Sequence, residues 1–214
     1  MNARHEILKA ALRQMAARGA DSTSLQAIAD EVGIKKPSIL YHFDSKEGLR
    51  KAVVTEILVR WNEVLPRLFL TTVNDATGRF QSLAHELVSF FSEDPNRAKL
   101  IFRELLDRPK EMRAYLQEYV RPWIKMIASE VEKGRAAGRI NAGIDPEAFV
   151  WVLINSVIAN IAAASSISGA DNVGDSENNV GRLMEEVLRT ARASLFSFTN
   201  TEDKPHKPSQ GAQA

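Results

Sequence analysis

The sequence predicts an all-α protein built from a small N-terminal and a larger C-terminal helical domain. Apolar residues recur at helical spacing through almost every segment. The segments are punctuated by glycines, Asp-Pro pairs and Ser/Thr caps. No stretch alternates apolar and polar residues in the way a half-buried strand requires. With 214 residues, 44% of them hydrophobic and 26% charged, the chain has the makeup of a globular protein with a core of useful size.

Ile7, Leu8, Ala11, Leu12, Met15 and Ala16 share one face of a first helix, and Gly19 stops it. Thr23 followed by Gln26 reads as a capping box opening a short helix with the stripe Leu25, Ile28, Ala29 and Val32. Gly33 allows a tight turn, and Pro37 suits the first turn of the next helix, which ends near Phe43. Asp44 or Ser45 can cap a long helix over about 45–69, with a bend at Pro66. Further helices are expected over about 78–91, over 95–107 behind the Asp94-Pro95 cap, and over 110–137, bent at Pro122 and ended by Gly138. Asp145-Pro146 opens a helix to about Ser166, 168–176 reads as a loop, and a last helix carries Val180, Leu183, Met184, Val187, Leu188, Ala191 and Leu195. Residues 199–214 are polar with two prolines and read as a disordered tail.

Net charge is only +1, but it is unevenly spread. Residues 1–52 hold nine Lys and Arg against six Asp and Glu, leaving the remainder at −2, which mildly favours an anionic partner for the N-terminal part. Cysteine is absent, so disulfides, thiolate metal sites and a cysteine nucleophile are excluded. The N-terminus has scattered charges and reads as neither signal peptide nor anchor, and a cytoplasmic location is expected. Asn155, Ser156 and Asn160 interrupt the longest apolar stretch, 148–164, which is short for a membrane span.

The informative region is 23–43: a capped short helix, a glycine turn and a second short helix, which is helix-turn-helix geometry. In that arrangement the second helix enters the DNA major groove while the first braces it. The second helix offers Lys35, Lys36, Ser38, Tyr41 and His42 on its outer side, with Ile34, Ile39 and Phe43 turned to a small core. Taken alone, two adjacent lysines are a solvated face and Tyr41 a packing residue; inside this motif they become contact candidates.

The run TSLQAIADEVGIKKPSILYHFDSKEGL resembles the DNA-binding domain of the tetracycline-repressor (TetR) family over residues 3 to about 51. The features that match, in order, are Thr-x-x-x-x-Ile-Ala, the Gly-Ile turn, the Tyr-His-Phe ending and the Ser-Lys-Glu-x-Leu start of the fourth helix. The resemblance implies that Thr23 is a cap near the DNA backbone, that Lys36 and Ser38 are recognition-helix contacts, and that His42 and Lys46 meet phosphates. Lys35 stands where the family usually has a small hydroxyl residue, so capping of the recognition helix is weakened. Tyr41 stands one place after the family's usual tyrosine position, here Leu40.

The expected organisation is a DNA-binding domain over 1–48 and a regulatory and dimerisation domain over 49–198. The expected function is transcriptional regulation: a repressor released from a palindromic operator by a small hydrophobic effector. The alternative is a DNA-binding regulator or architectural protein without ligand sensing. A homodimer through about 145–166 and 177–196 is expected, because the first of these helices is apolar nearly all round and the second carries a continuous stripe. No catalysis, cofactor or metal is expected: the four histidines are scattered, His85-Glu86 lacks a second histidine, and no phosphate loop or hydrolase elbow occurs. Gly134 and Gly138 read as a frayed helix end. Large aromatics, among them Phe69, Phe91 and Trp151, can be core or pocket. Trp61, Phe90, Phe102, Trp123 and Met126 are the candidate pocket lining, with Arg103 and Asn155 as polar anchors.

Overall fold

The computed structural model describes residues 3–70, 76–167 and 173–196, all helix and short connections. The elements are α1 (Ala3–Arg18), α2 (Leu25–Val32), α3 (Lys36–Phe43), α4 (Lys46–Leu70), α5 (Ala76–Glu93), α6 (Pro95–Asp107), α7 (Pro109–Tyr115), a π-helical turn (Leu116–Val120), α8 (Arg121–Ala136), α9 (Pro146–Ile167) and α10 (Val173–Phe196).

Local signals set most of these boundaries. Gly19, Gly33 and Gly138 all have positive φ, 85°, 74° and 68°, where a side chain would be strained. The Asp94 carboxylate accepts from the Asn96 N–H, and that of Asp145 from the Ala148 N–H. Ser45 Oγ accepts from the Gly48 N–H and so caps α4. α4 continues through Pro66 to Leu70.

Four expectations need correction. The hydroxyl that caps α2 belongs to Ser24, whose Oγ accepts from the Ala27 N–H at 3.0 Å. Thr23 is 1% exposed and donates its hydroxyl to the Gly19 carbonyl at 2.9 Å. Its β-branched side chain packs inward, so the neighbouring serine takes the cap. The helix expected over 110–137 follows one course but widens at 116–120, where the Arg121 N–H reaches the Leu116 carbonyl five residues back. Pro122 has no N–H for the carbonyl four residues before it, and the wide turn absorbs the mismatch. Gly134 is no frayed end: it is buried within α8, and a Cβ there would lie 2.5 Å from Ile140 Cδ1. α10 begins at Val173, so 173–176, expected as loop, are helical. The tail over 199–214 lies outside the described residues, as do the side chain of Phe69 and residues 168–172 of the expected loop.

One hydrophobic core runs from Ile7, Ile28 and Ile39 through Leu49 and Val53 to Leu100, Ile124 and Ile161. A domain boundary after residue 48 therefore falls inside α4, whose first turns pack on α1 and α3 and whose later turns pack on α5. α1 also packs on α6. Head and body thus share a core.

A charge cluster sits at that junction. Arg50 and Glu104 are each 1% exposed and pair directly. Arg50 also holds Glu47 through bonds of 2.9 and 2.5 Å, and reaches Glu111. Arg108 approaches Glu104 at 3.5 Å and bonds Asp21, in the connection between α1 and α2. Burial opposes the charge on Arg50, but the hydrogen bond to Glu47 and the charges of Glu104 and Glu111 outweigh it and raise its pKa. Burial pushes the Glu104 carboxyl above its ordinary range, more than Arg50 and Arg108 pull it down.

Arg50→Met is expected to cost about 3–5 kcal/mol near neutral pH, because it strands a buried carboxylate. The Glu104 pKa should then rise further above its unfolded value. A raised folded pKa gives stability that is present below the unfolded value of about 4.3 and lost as pH rises through the folded one. The deficit against wild type should therefore shrink as pH falls from about 7.5 to about 5. Thermal unfolding of both proteins across that range checks this, and a deficit that stays constant or grows contradicts it.

Candidate nucleic-acid interface and effector cavity

The head is held in shape from behind, which frees the outer face of α3. Glu31 of α2 accepts from Gln14 Nε2 at 2.6 Å and from Arg13 Nε at 2.9 Å, both on α1. The hydrogen bond from Gln14 leads in holding its carboxyl below the usual range, with Arg13 adding to it. The Arg4 guanidinium lies 5.3 Å from the centre of the Phe43 ring. Ile39 and Phe43 are buried. Asp44, at φ 59°, reverses the chain into α4.

The opposite side of α3 faces outward. Lys35, Lys36, Ser38 and His42 are exposed. Tyr41 is 85% exposed, so it is not a packing residue. Its ring meets His42 edge-on at 5.3 Å. Lys35 occupies the N-cap of α3 and makes no side-chain cap bond, as its identity leads one to expect. Helix and cap therefore present two ammonium groups, two hydroxyls and an imidazole, a donor-rich set suited to phosphates and base edges.

Two of the expected contact residues are placed differently. Thr23, buried and bonded to Gly19, has no hydroxyl to offer DNA. The exposed hydroxyl at that end is Ser24. Lys46 is half-buried and donates to the Asp21 carbonyl at 2.6 Å, so its ammonium already ties α4 to the turn before α2.

Among the described residues, two neighbouring apolar cavities lie in the body. The larger, about 290 Å³, is framed by α5, α8, α9 and α10 and includes Phe80, Leu83, Ile127, Val131, Phe149 and Leu195. Its charged lining is Arg79, Lys133, Arg139 and Glu130. The smaller, about 60 Å³, lies toward the head and is lined by Phe90, Ile101, Leu105, Met112, Trp151 and Asn155 among others. Trp61, Leu87, Trp123 and Ile154 line both.

Of the seven candidate lining residues, Trp61, Phe90, Trp123 and Asn155 are brought together. Asn155 is satisfied locally, donating to the Trp151 carbonyl at 2.9 Å. Phe102, Arg103 and Met126 are not at either cavity. Phe102 and Met126 lie on outward faces, because the inward stripe of α8 runs Trp123, Ile127, Val131 and that of α6 runs Ala98, Ile101, Leu105. Arg103 points to the head, donating to the carbonyls of Ala16 at 3.1 Å and Ala17 at 3.3 Å in the last turn of α1. The sequence reading missed Phe80, Phe149 and the rim cations. The stripe through 123, 127 and 131 is the signal that could have found the α8 wall.

A helix-turn-helix head on an all-helical body with an internal apolar cavity defines a class: DNA-binding transcriptional regulators. The family profile for bacterial regulatory proteins of the tetR family matches residues 7–53, and that for the tetracyclin repressor-like C-terminal domain matches residues 101–176. The chain belongs to the TetR family of transcriptional regulators. It is 24% identical over 128 residues to the biofilm operon icaADBC HTH-type negative transcriptional regulator IcaR of Staphylococcus aureus (strain Newman), spanning 60% of this chain and 67% of that one. It is 44% identical over 55 residues to the HTH-type transcriptional regulator RutR of Escherichia coli (strain K12), 26% of each chain. Its fold is similar to that of the ketosteroid transcriptional regulator KstR2 of Mycobacterium tuberculosis, with a TM-score of 0.71, 17% identity, and coverage of 91% of this chain and 95% of that one.

Ser24→Ala is expected to lower stability by about 1 kcal/mol through loss of the α2 cap. Thr23→Ser keeps the bond to Gly19 but gives up a buried methyl, at a cost of about 1 kcal/mol. Denaturant unfolding of the two variants measures both; a Ser24→Ala protein as stable as wild type would place the cap elsewhere.

Proposed function

We propose that this regulator is a homodimeric repressor that binds a palindromic operator through α3 and releases it when a small hydrophobic molecule enters the body. The observation that carries the reading is a wholly apolar internal wall, formed by Ile101 and Leu105 of α6, on the same helix whose Glu104 pairs with Arg50 and which runs into Arg108, bonded to Asp21 of the head. A molecule that spreads the cavity has one rigid element through which to tilt the reading helix. It acts only if it binds the two tilts unequally. The negative regulation named for the Staphylococcus aureus relative supports repression as the sign.

Dimerisation falls to α9 and α10, which pack on one another. Val152 on α9 is 64% exposed. On α10, Leu183, Val187, Leu188 and Ala191 are only half covered by the chain itself. The stretch Pro146–Ala164 has a mean hydropathy of 1.6, and only 33% of it is buried, so much apolar surface awaits a partner. A second copy about a two-fold axis supplies it and sets two recognition helices about one DNA turn apart.

Lys36→Ala is expected to weaken operator binding and, if its contact is a phosphate, to reduce the salt slope by about one. Lys46→Ala should weaken binding less and cost stability as well, since its ammonium is already engaged by Asp21. Fluorescence anisotropy with operator and random DNA at two salt concentrations reads both effects; wild-type binding by Lys36→Ala would displace the docking surface from α3. Val152→Glu with Leu188→Glu should give a monomer by light scattering at micromolar concentration. A dimer that persists would place the interface on other helices.

A further inference from the structure

The larger cavity is apolar in its depth and positive at its rim. Among the described residues its charged lining is Arg79, Lys133 and Arg139 against the single carboxylate Glu130, an excess of two positive charges. Glu130 is already engaged twice, by Lys133 at 2.6 Å and by Arg79 at 3.3 Å. Arg139 has no ion-pair partner among the described residues. It sits on the connection that follows α8, which is pinned by the bond from the Asn141 N–H to the Leu195 carbonyl at 3.0 Å. The guanidinium therefore stands on a fixed wall of the cavity.

An independent observation lies deeper. The Trp123 side chain is buried and its ring lines both cavities, yet its indole N–H has no acceptor among the described residues. A buried donor left unmade is costly, and such groups cluster where a ligand supplies the partner. Rim and interior thus both offer donors: positive charge at the rim and one unmet N–H within. A cationic ligand would meet repulsion at the rim, and a pure hydrocarbon would leave the rim's positive charge unmatched.

We propose that the larger cavity takes an amphipathic anion, an acid whose apolar body fills the space between α5, α8 and α9 and whose acid oxygens meet Arg139, Arg79 and Lys133 at the rim. This rests on the effector-binding reading above and narrows it to one chemical class. A volume of about 290 Å³ is that of about ten water molecules, so a body of about ten carbon atoms fits. Charge-assisted bonds from the rim hold the head, while burial of the chain supplies most of the affinity.

Decanoate, 1-decanol and decylammonium share the body and differ in head charge. Titrated into the full-length dimer near pH 7.5 by calorimetry, decanoate is expected to bind about tenfold more tightly than 1-decanol and more tightly still than decylammonium. Arg139→Gln with Lys133→Gln should remove most of the difference between decanoate and 1-decanol while changing 1-decanol binding less than about twofold. Both residues are exposed, so the fold should survive, and thermal unfolding checks that it does. The preference for the acid should also shrink between low and high salt in the wild-type protein, a readout that needs no variant. Equal or tighter binding of 1-decanol or decylammonium, or failure of all three to bind, overturns the proposal. Operator release is measured separately: decanoate that binds with the stated preference but never frees DNA upholds the anion site and sinks the release reading. A neutral probe that binds better than the acid and frees DNA does the reverse.

Discussion

The buried pair of Arg50 and Glu104 is the constraint on which the arrangement of head and body depends. Two charges at 1% exposure are costly to desolvate, and they are retained only because every side of the guanidinium is used. Glu47 and Lys46 lie in the first turn of α4, Glu104 on α6, Arg108 between α6 and α7, Glu111 on α7, and Asp21 between α1 and α2. The contacts to Glu104, Glu111 and Asp21 each fix one element against another, while Glu47 orients the guanidinium from its own helix. An apolar core alone tolerates sliding of helices by partial repacking, whereas directed charge-assisted bonds from one guanidinium to carboxylates on α6 and α7 fix geometry. Arg103, reaching the α1 carbonyls from the same helix as Glu104, adds a second tie between α6 and the head.

The consequence is a head tied to α6. α1 rests on α6, α2 is clamped to α1 by Glu31, Gln14 and Arg13, and α3 is held to α1 by Arg4 over Phe43. The outer face of α3 is then free of structural duties, so its donors remain available. Exposure of Tyr41 and the lysines follows from how completely Ile39, Phe43 and the Arg4 contact secure the inner side.

Much of the helical frame could be read from residues next to one another in the chain. Glycines at 19, 33 and 138 and the aspartates at 94 and 145 act within one helical turn, and their signals survive folding. Errors arose where two local options were equally good. Thr23 and Ser24 can each cap α2, and only burial of the threonine decides between them. Contacts made across the sequence leave no local signal: Arg50 and Glu104 are 54 positions apart, and the carbonyl partners that make Arg103 a structural tie rather than a ligand anchor lie 87 and 86 positions away. Phe102 and Met126 are large enough to line a pocket, but which side of a helix faces a cavity depends on neighbours that amphipathicity alone does not name.

The aromatic wall between the two cavities gives them a physical link. Trp61 meets Trp123 at 5.7 Å and Phe90 at 5.3 Å, both edge-on, and lies 6.5 Å from Phe91. Interlocked rings have few ways to yield separately, so a ligand pressing on one tends to shift the group. On the far side of that wall, the smaller cavity is bounded by Ile101 and Leu105 of α6, which flank Glu104. A displacement begun at Trp123 would therefore meet, within a few contiguous side chains, the helix whose Glu104 pairs with Arg50. The smaller cavity has little room to absorb it, at about 60 Å³, and that near-absence of slack lets packing transmit a shift instead of dissipating it.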